Sequence, residues 1–381
     1  MSTLRVIVDQ LLSPVPGGIG RYAAELTRAL IETAPPGRDV AGVVTAAEPA
    51  ALARVQNAVP GLAEIVMLPT SRRALTLAWQ LGAVSAAALP PGSATHATSQ
   101  LAPLTRKRAG STVVATIHDT VPWTHPETLT RYGAQWHRAM GRRAARWADA
   151  IVVPTHAVAA ELDAILHLGD RVRVIGGATS STLALHADAD VDLRAAALGL
   201  PPAYILAVGT LEPRKGLDAL IAAMAHPDAP ALPLVVAGPA GWGGIDLAEL
   251  AARAGLAPER LLVLGRVDDA DLAVAYARAT AYCAPSRAEG FGLPVVEAMG
   301  LGTPVVHSDA PALAEVAGGA GLSVPLAPAA SYPARLAAAL RRVAEEPGLA
   351  AQLAAAGRER ATAFSWTSSA RAVWALHADL R

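Results

Sequence analysis

Cysteine is almost missing from this chain: the one residue, Cys283, rules out a disulfide framework and fits a reducing compartment. Lysine is nearly as scarce, with Lys107 and Lys215 standing against a background of arginine. No 18-residue apolar run escapes polar interruption. The nearest, 74–90, is broken by Gln80 and Ser85 and reads as an amphipathic or buried helix, not a membrane span. The first residues enter a strand pattern directly, without the layout of a signal peptide. Net charge sums to zero, which gives no electrostatic reason to expect nucleic acid as a partner. These absences lead to the expectation of a cytoplasmic protein.

A composition of 52% hydrophobic and 17% charged residues supports a well-filled core and excludes a disordered chain. The 381 residues suit two domains of ordinary size. Apolar, β-branched runs at 4–8, 40–45, 63–68, 111–117, 150–154 and 172–175 read as strands separated by helical periods. The alternation resumes at 204–208 and continues through 234–237, 261–264, 281–284, 305–308 and 322–324. Strands alternating with helices predict an α/β protein with a doubly wound parallel sheet in each half. The predicted division is an N-terminal domain over 1–180, an acidic, turn-rich linker over 181–202 and a C-terminal domain over 203–363. A last helix follows over 364–381.

The rest of the chain is organised around 285–304. A buried strand runs into a loop containing Gly290, Gly292 and Pro294, and a helix follows. Strand, glycine loop and helix together turn backbone N–H groups and the positive end of a helix dipole toward an anion. Two carboxylates flank that place, Glu289 before the loop and Glu297 in the helix. Taken singly, each could be a solvated acid. Glu297, however, is the one charge on an otherwise apolar helix, and a buried carboxylate costs several kcal/mol unless a polar group meets it. Phosphate wants N–H donors, whereas sugar and ribose hydroxyls want charged acceptors. A segment offering both suggests a nucleotide sugar.

Four other places carry candidate chemistry. Gly17, Gly18 and Gly20 follow the first strand, as a plain βα turn or a phosphate loop. His118 and Asp119 end the strand at 111–117, where ligands meet open α/β sheets, although His118 could be structural and Asp119 a cap. Gly209 ends the first strand of the second half, and Arg214 and Lys215 follow it just before a helix. Gly265, Arg266 and Val267 form a turn after another strand. The D-x-D spacing of Asp188, Asp190 and Asp192 resembles a divalent-cation site but lacks a preceding buried strand. Asp192 reads as a helix cap, and no metal is expected. Between 71 and 146, ten basic side chains face two acidic ones, with Trp123, Trp136 and Trp147 nearby. That surface is either a solvated arginine-rich face or a peripheral dock for anionic lipid.

The string PSRAEGFGLPVVEAMGLGTPVV, with its E-x7-E spacing of Glu289 and Glu297, resembles the signature of the large retaining glycosyltransferase family with the GT-B fold. GGIGRYAAEL, ATIHDTVPWTHP and GTLEPRKG are similar to three further segments of that family. The resemblance runs from Gly17 to Trp366. It implies two Rossmann-like domains facing across a cleft, with the last helix crossing back to the N-terminal one. It also implies a nucleotide-sugar donor without a cofactor or metal, and a glycan or lipid-linked acceptor.

By the same resemblance Arg214 and Lys215 bind the pyrophosphate, Glu297 the ribose and Glu289 the donor-sugar hydroxyls. Gly292 and Leu293 offer N–H groups to phosphate and sugar, while Arg266 and Val267 meet the base. His118 lies near the anomeric carbon, and Gly17 and Gly18 against the donor phosphates. The implied activity is hexosyl transfer with retention, most similar to mannosyltransferases using GDP-mannose. UDP-sugar users share the frame. A non-catalytic binding protein is the rival of another class.

Overall fold

The computed structural model describes residues 2–13, 17–82, 93–106, 110–183 and 188–380. Tertiary contacts divide the chain into two units, 1–177 with 365–381 and 178–364.

In the first unit seven strands form a wholly parallel sheet. They are β1 (Ser2–Ile7), β2 (Arg38–Val44), β3 (Glu64–Met67), β4 (Ala94–Ala97), β5 (Thr112–Thr116), β6 (Ala150–Val153) and β7 (Val172–Val174). Their order is β3-β2-β1-β4-β5-β6-β7, so the winding reverses between β1 and β4. One face buries Ile7, Val43, Ala115 and Ile151 against Met140 and Leu162 from covering helices. Each of the larger side chains among them contributes roughly 1.5–3 kcal/mol of apolar burial.

The helix Trp366–Asp379 belongs to this unit. Trp374 Nε1 donates to the Leu30 carbonyl at 3.1 Å, and Ser369 Oγ donates to the Gly176 carbonyl at 2.8 Å. Gly17, Gly18 and Gly20 lie in the first turns of the helix Gly17–Glu32, not in a loop before it. The preceding part of that motif, 14–16, is outside the described residues. Gly17 starts the helix at φ +61°, a conformation that side chains rarely adopt.

The second unit holds six parallel strands: β8 (Ile205–Val208), β9 (Leu234–Ala237), β10 (Leu261–Gly265), β11 (Ala281–Ala284), β12 (Val305–Ser308) and β13 (Leu322–Val324). Their order is β10-β9-β8-β11-β12-β13, with the reversal between β8 and β11. Alternate residues of one strand feed two cores. Ile205, Ala207, Ala281 and Cys283 pack on one face, and Leu206, Tyr282 and Ala284 on the other. Both faces are apolar because helices cover both, which is why these strands read as continuous hydrophobic runs.

The stretch expected as a linker contains the helix Asp188–Ala197, within the second unit. Ion pairs tie it down: Arg194 Nη1 meets Asp271 at 2.7 Å, and Arg278 pairs with Asp192. Asp192 thus lies inside the helix instead of capping it, and 184–187 are outside the described residues. No helix of the described residues is long and apolar enough to cross a membrane. The apolar stretch 74–90 is helical over Arg72–Leu81, ending at Gly82 in a left-handed cap, and 83–90 are not described.

Candidate active site

The carboxyl ends of β8 and β11 flank the reversal in the second sheet, the place where open α/β sheets bind ligands. Four segments converge there. Gly209 follows β8, the turn Pro213–Lys215 follows it, Pro285–Glu289 follows β11, and Gly292 caps the helix Leu293–Gly300. Together they line a small cavity in which Gly209, Lys215, Ser286, Glu289 and Gly292 meet.

The centre of this arrangement is Glu289. Lys215 Nζ donates to its Oε1 at 2.6 Å, Ser286 Oγ donates to the same oxygen at 2.7 Å, and Arg214 Nη1 donates to Oε2 at 2.7 Å. Arg214 Nε also donates to Glu212 at 3.0 Å. The Glu289 side chain is 9% exposed, and those of Arg214 and Lys215 are 18% and 15% exposed, so water screens the cluster poorly. Burial alone would push the Glu289 carboxyl upward. The Lys215 and Arg214 charges, with the bonds from Lys215 and Ser286, outweigh it and hold it at about 2.

Backbone geometry forces this meeting. Pro213 starts the turn, and Gly216 ends it at φ +67°. A Cβ on Gly216 would stand 2.2 Å from the Pro285 carbonyl oxygen, so the turn and the loop after β11 approach closely only with glycine there. Hydrogen bonds close the contact: Arg287 N–H donates to the Arg214 carbonyl at 2.8 Å, and Arg287 Nη1 to the Pro213 carbonyl at 2.7 Å. Gly292 is held at φ +85°, and a Cβ there would meet Leu313 Cδ2 at 2.5 Å. Its conformation sets the start of the helix and aims the first N–H groups of that helix out of it.

Glu297 is 3% exposed, and the Tyr276 hydroxyl donates to its Oε2 at 2.9 Å. Tyr276 comes from the helix Asp269–Arg278, and its own carbonyl accepts from Thr303 Oγ1 at 2.8 Å. Neither Tyr276 nor Ser286 is marked out by a motif in the sequence. Ser286 sits three residues from Glu289, a spacing visible in the sequence, but nothing local points from Tyr276 to Glu297. Arg266 is exposed and Val267 half-buried, just beyond β10 and ahead of the Asp268 cap. Among the described residues no three His, Cys, Asp or Glu side chains converge as a metal site would need. Of the D-x-D acids, Asp190 pairs with Arg194 at 3.0 Å and Asp192 with Arg278.

In the first unit, His118 and Asp119 follow β5 and line a separate cleft of about 420 Å³, together with Gln10, Gln100, Trp136 and His137. His118 Nε2 lies 2.8 Å from the Thr98 carbonyl, and the ring packs edge-on to Tyr22 at 4.8 Å. Burial keeps the His118 imidazole below its ordinary value, against smaller opposing effects of the Thr98 carbonyl and Asp119. Asp119 does act as a local cap, accepting from Val121 N–H at 3.1 Å. Gly17 and Gly18 are exposed.

Two Rossmann-like halves, each with a reversal of its strand order and one carrying the E-x7-E pair across a glycine loop and the helix after it, describe a GT-B protein. Comparison with known proteins agrees. Residues 16–179 match Glycosyltransferase Family 4, and residues 188–360 match Glycosyl transferases group 1. The chain belongs to the GT-B glycosyltransferases of the family 4 type.

Among curated proteins it is 42% identical over 122 residues to an O-antigen chain mannosyltransferase B of Escherichia coli, covering 31% of this chain and 32% of that one. It is 38% identical over 161 residues to a phosphatidyl-myo-inositol mannosyltransferase of Mycolicibacterium smegmatis, covering 41% and 39%. The similarity thus spans 32% and 39% of those relatives' own length. Among solved structures, sucrose-phosphate synthase from Thermosynechococcus elongatus superposes with a TM-score of 0.77 at 24% identity, over 100% of this chain and 99% of that one. HepE of Anabaena, solved with UDP and glucose, gives 0.74 at 18% over 100% of both chains. At these identities the two structures establish the fold alone.

Proposed function

We propose that this protein is a retaining hexosyltransferase that moves a hexose from a nucleotide sugar to a glycan or lipid-linked acceptor in cell-surface polysaccharide or glycolipid synthesis. The carrying observation is the Arg214–Glu289–Lys215 cluster beside the glycine-capped helix that bears Glu297. In the reaction the bond from the anomeric carbon to the donor's phosphate oxygen breaks. A bond from that carbon to an acceptor hydroxyl oxygen forms on the same face. The hydroxyl proton passes to the departing phosphate oxygen, so the step needs no protein nucleophile.

Arg214 forks two phosphate oxygens, and Lys215 supplies a point charge as negative charge builds on the leaving diphosphate. These two cations take the part a metal plays elsewhere. Gly209 allows close backbone approach, and the N–H groups of Gly292 and Leu293 donate to phosphate. Glu289 accepts from sugar hydroxyls, Glu297 from the ribose, and Arg266 and Val267 meet the base. The roles of His118, Gly17 and Gly18 rest on the family resemblance alone.

Mannose from GDP-mannose is the donor we favour, because the named curated relatives are mannosyltransferases. The runner-up is a UDP-sugar. The test is a thermal-shift screen against GDP, UDP, ADP and their hexose derivatives, repeated on Lys215→Ala. We expect GDP and GDP-mannose to raise Tm selectively, and the variant to need about tenfold more nucleotide for the same shift. A selective response to UDP would replace the donor. No response to any nucleotide would sink the transferase reading, and nucleotide binding without turnover of any donor would favour the binding protein.

A lipid-linked acceptor calls for a membrane dock, and the first unit carries a suitable face. The helix Arg72–Leu81 exposes Arg73, Leu77 and Leu81, and the helix Arg131–Trp147 exposes Arg131, Tyr132 and Arg142. Lys107 and Arg108, counted with this basic region, are outside the described residues. In flotation, the protein is expected to rise with phosphatidylglycerol vesicles at low salt. Reversing Arg131 and Arg142 to Glu is expected to cut the bound fraction about tenfold. Equal binding to neutral phosphatidylcholine vesicles would refute the electrostatic dock.

A further inference from the structure

We infer that Tyr276 is a positioning residue for the donor nucleotide: its hydroxyl holds the Glu297 carboxylate ready for the ribose hydroxyls and so sets a preference for nucleotides with an intact ribose. The inference rests on the donor-site reading proposed above, and adds a side chain that acts through Glu297 and not on the nucleotide itself. Tyr276 is fully buried near the end of the helix Asp269–Arg278, and its hydroxyl donates to Glu297 Oε2 at 2.9 Å.

The helix that bears Glu297 explains why the carboxylate needs such a partner. Glu297 shares a helix face with Leu293, the first residue of the helix Leu293–Gly300, and helical side chains lean toward the N-terminal end of their own helix. Gly292 caps that end, where the helix offers its N–H groups to phosphate. A nucleotide's ribose is bonded to its first phosphate, so a carboxylate leaning that way is placed for the ribose. A glutamate side chain has several torsions, and ordering them only when the ligand arrives would weaken binding. The bond from Tyr276 orders them beforehand. It takes one of the roughly four lone-pair sites of a carboxylate, so ribose hydroxyls can donate to the same group.

Tyr276 can anchor another side chain because it is held along its own length. Its carbonyl accepts from Thr303 Oγ1 at 2.8 Å, and Thr303 N–H donates to the Ala298 carbonyl at 2.9 Å, which ties the ends of the two helices together. The neighbouring Ala275 carbonyl accepts from the Tyr204 hydroxyl at 2.7 Å. The Tyr276 ring packs edge-on to Tyr282, with centroids 5.6 Å apart, and Tyr282 lines the cavity that holds Glu289. Burial pushes the Tyr282 phenol well above its ordinary value, and the charges of Glu289 and Glu297 add to that, so this ring lies within the field of both acids. The two acids are held differently. Lys215 and Arg214 hold Glu289 by charge, whereas a phenol is a neutral donor that fixes the direction of Glu297 without setting a cation on it.

Calorimetric titration of the full chain tests this, with the diphosphate that the parent binds, GDP or UDP, and with its dideoxyribose counterpart. The parent is expected to bind the ribose form about a hundredfold more tightly, at about tenfold for each hydroxyl bonded to a carboxylate. Tyr276→Phe keeps the ring and its packing. It is expected to weaken the ribose form about tenfold and to leave the dideoxy form unchanged. Glu297→Gln is expected to bring the two forms within about threefold of each other. A merely structural loss would weaken both forms alike and leave their ratio where it was. If the phenylalanine variant does not fold, fluorotyrosine at position 276 keeps the hydroxyl. Its fluorine resonance is then expected to shift with the ribose form and not with the dideoxy form. An unchanged ratio in either variant, or a fluorine resonance indifferent to the ribose hydroxyls, would overturn the inference while nucleotide binding itself stood. Binding of neither form by the parent would overturn the donor-site reading and the role of Tyr276 together, so the two failures are told apart.

Discussion

Glu289→Gln is expected to lower the transfer rate by about 10²–10³ while making the protein respond more strongly to nucleoside diphosphate. The two effects have one origin. The Glu289 carboxylate sits 2.6 Å from Lys215 and 2.7 Å from Arg214, in the position of an anion between two cations. The amide keeps the shape but removes the charge, leaving two poorly solvated cations under-compensated. Breaking one partner out of such a cluster costs on the order of 3–5 kcal/mol where burial is complete, and less here because both cations keep some solvent. A diphosphate restores the missing charge, so its stabilising effect should be larger in the variant than in the parent.

Acid sensitivity gives a second readout. The folded-state value of Glu289 lies at about 2 against an ordinary 4.5. Its contribution is fully present above pH 4.5 and is lost as pH falls through the window toward 2. Glu289→Gln should flatten that part of the acid-unfolding profile. Undiminished transfer by the variant would remove Glu289 from the reaction. A weaker nucleotide shift than in the parent would mean that the carboxylate does not compete with phosphate.

Gly216→Ala is the substitution with the largest expected effect on the fold of the site. Alanine at φ +67° costs about 1–2 kcal/mol by itself, and its Cβ would stand 2.2 Å from a backbone oxygen that no rotamer can move. The turn must therefore withdraw from the loop after β11. A total of about 2–4 kcal/mol is expected, or a fall in Tm of roughly 5–15 °C. Because Arg214 and Lys215 ride on that turn, nucleotide binding should fall with it. A variant that melts like the parent and still binds nucleotide would show that the two segments need not touch.

Much of the architecture was legible from local pattern. Strands such as 205–208 and 281–284 announce themselves because both faces of a covered parallel sheet are apolar, which leaves unbroken hydrophobic runs. Capping is equally local: Thr155 accepts from Val158 N–H at 3.2 Å, and Asp268 from Asp271 N–H at 2.8 Å. The E-x7-E segment also carries its own sign, since a lone acid on an apolar helix needs an explanation wherever the helix lies. By contrast, β4 reads Ala-Thr-His-Ala and gives no strand signal. It is fixed by hydrogen bonding between β1 and β5, which no local propensity encodes.

The sequence by itself determined the α/β alternation, the two-unit chain and the glycine-bounded segments where an anion could be met. It did so because periodicity, capping and the need for positive φ act over a few residues. Tertiary structure decided what meets what. Arg214 and Lys215 reach Glu289 across 75 and 74 residues, and Tyr276 reaches Glu297 across 21. Side chains from the segments that follow β1, β4 and β5 and from the helix Arg131–Trp147 share one cleft for the same reason. Strand order places them there, and strand order is set by burial summed over a whole sheet.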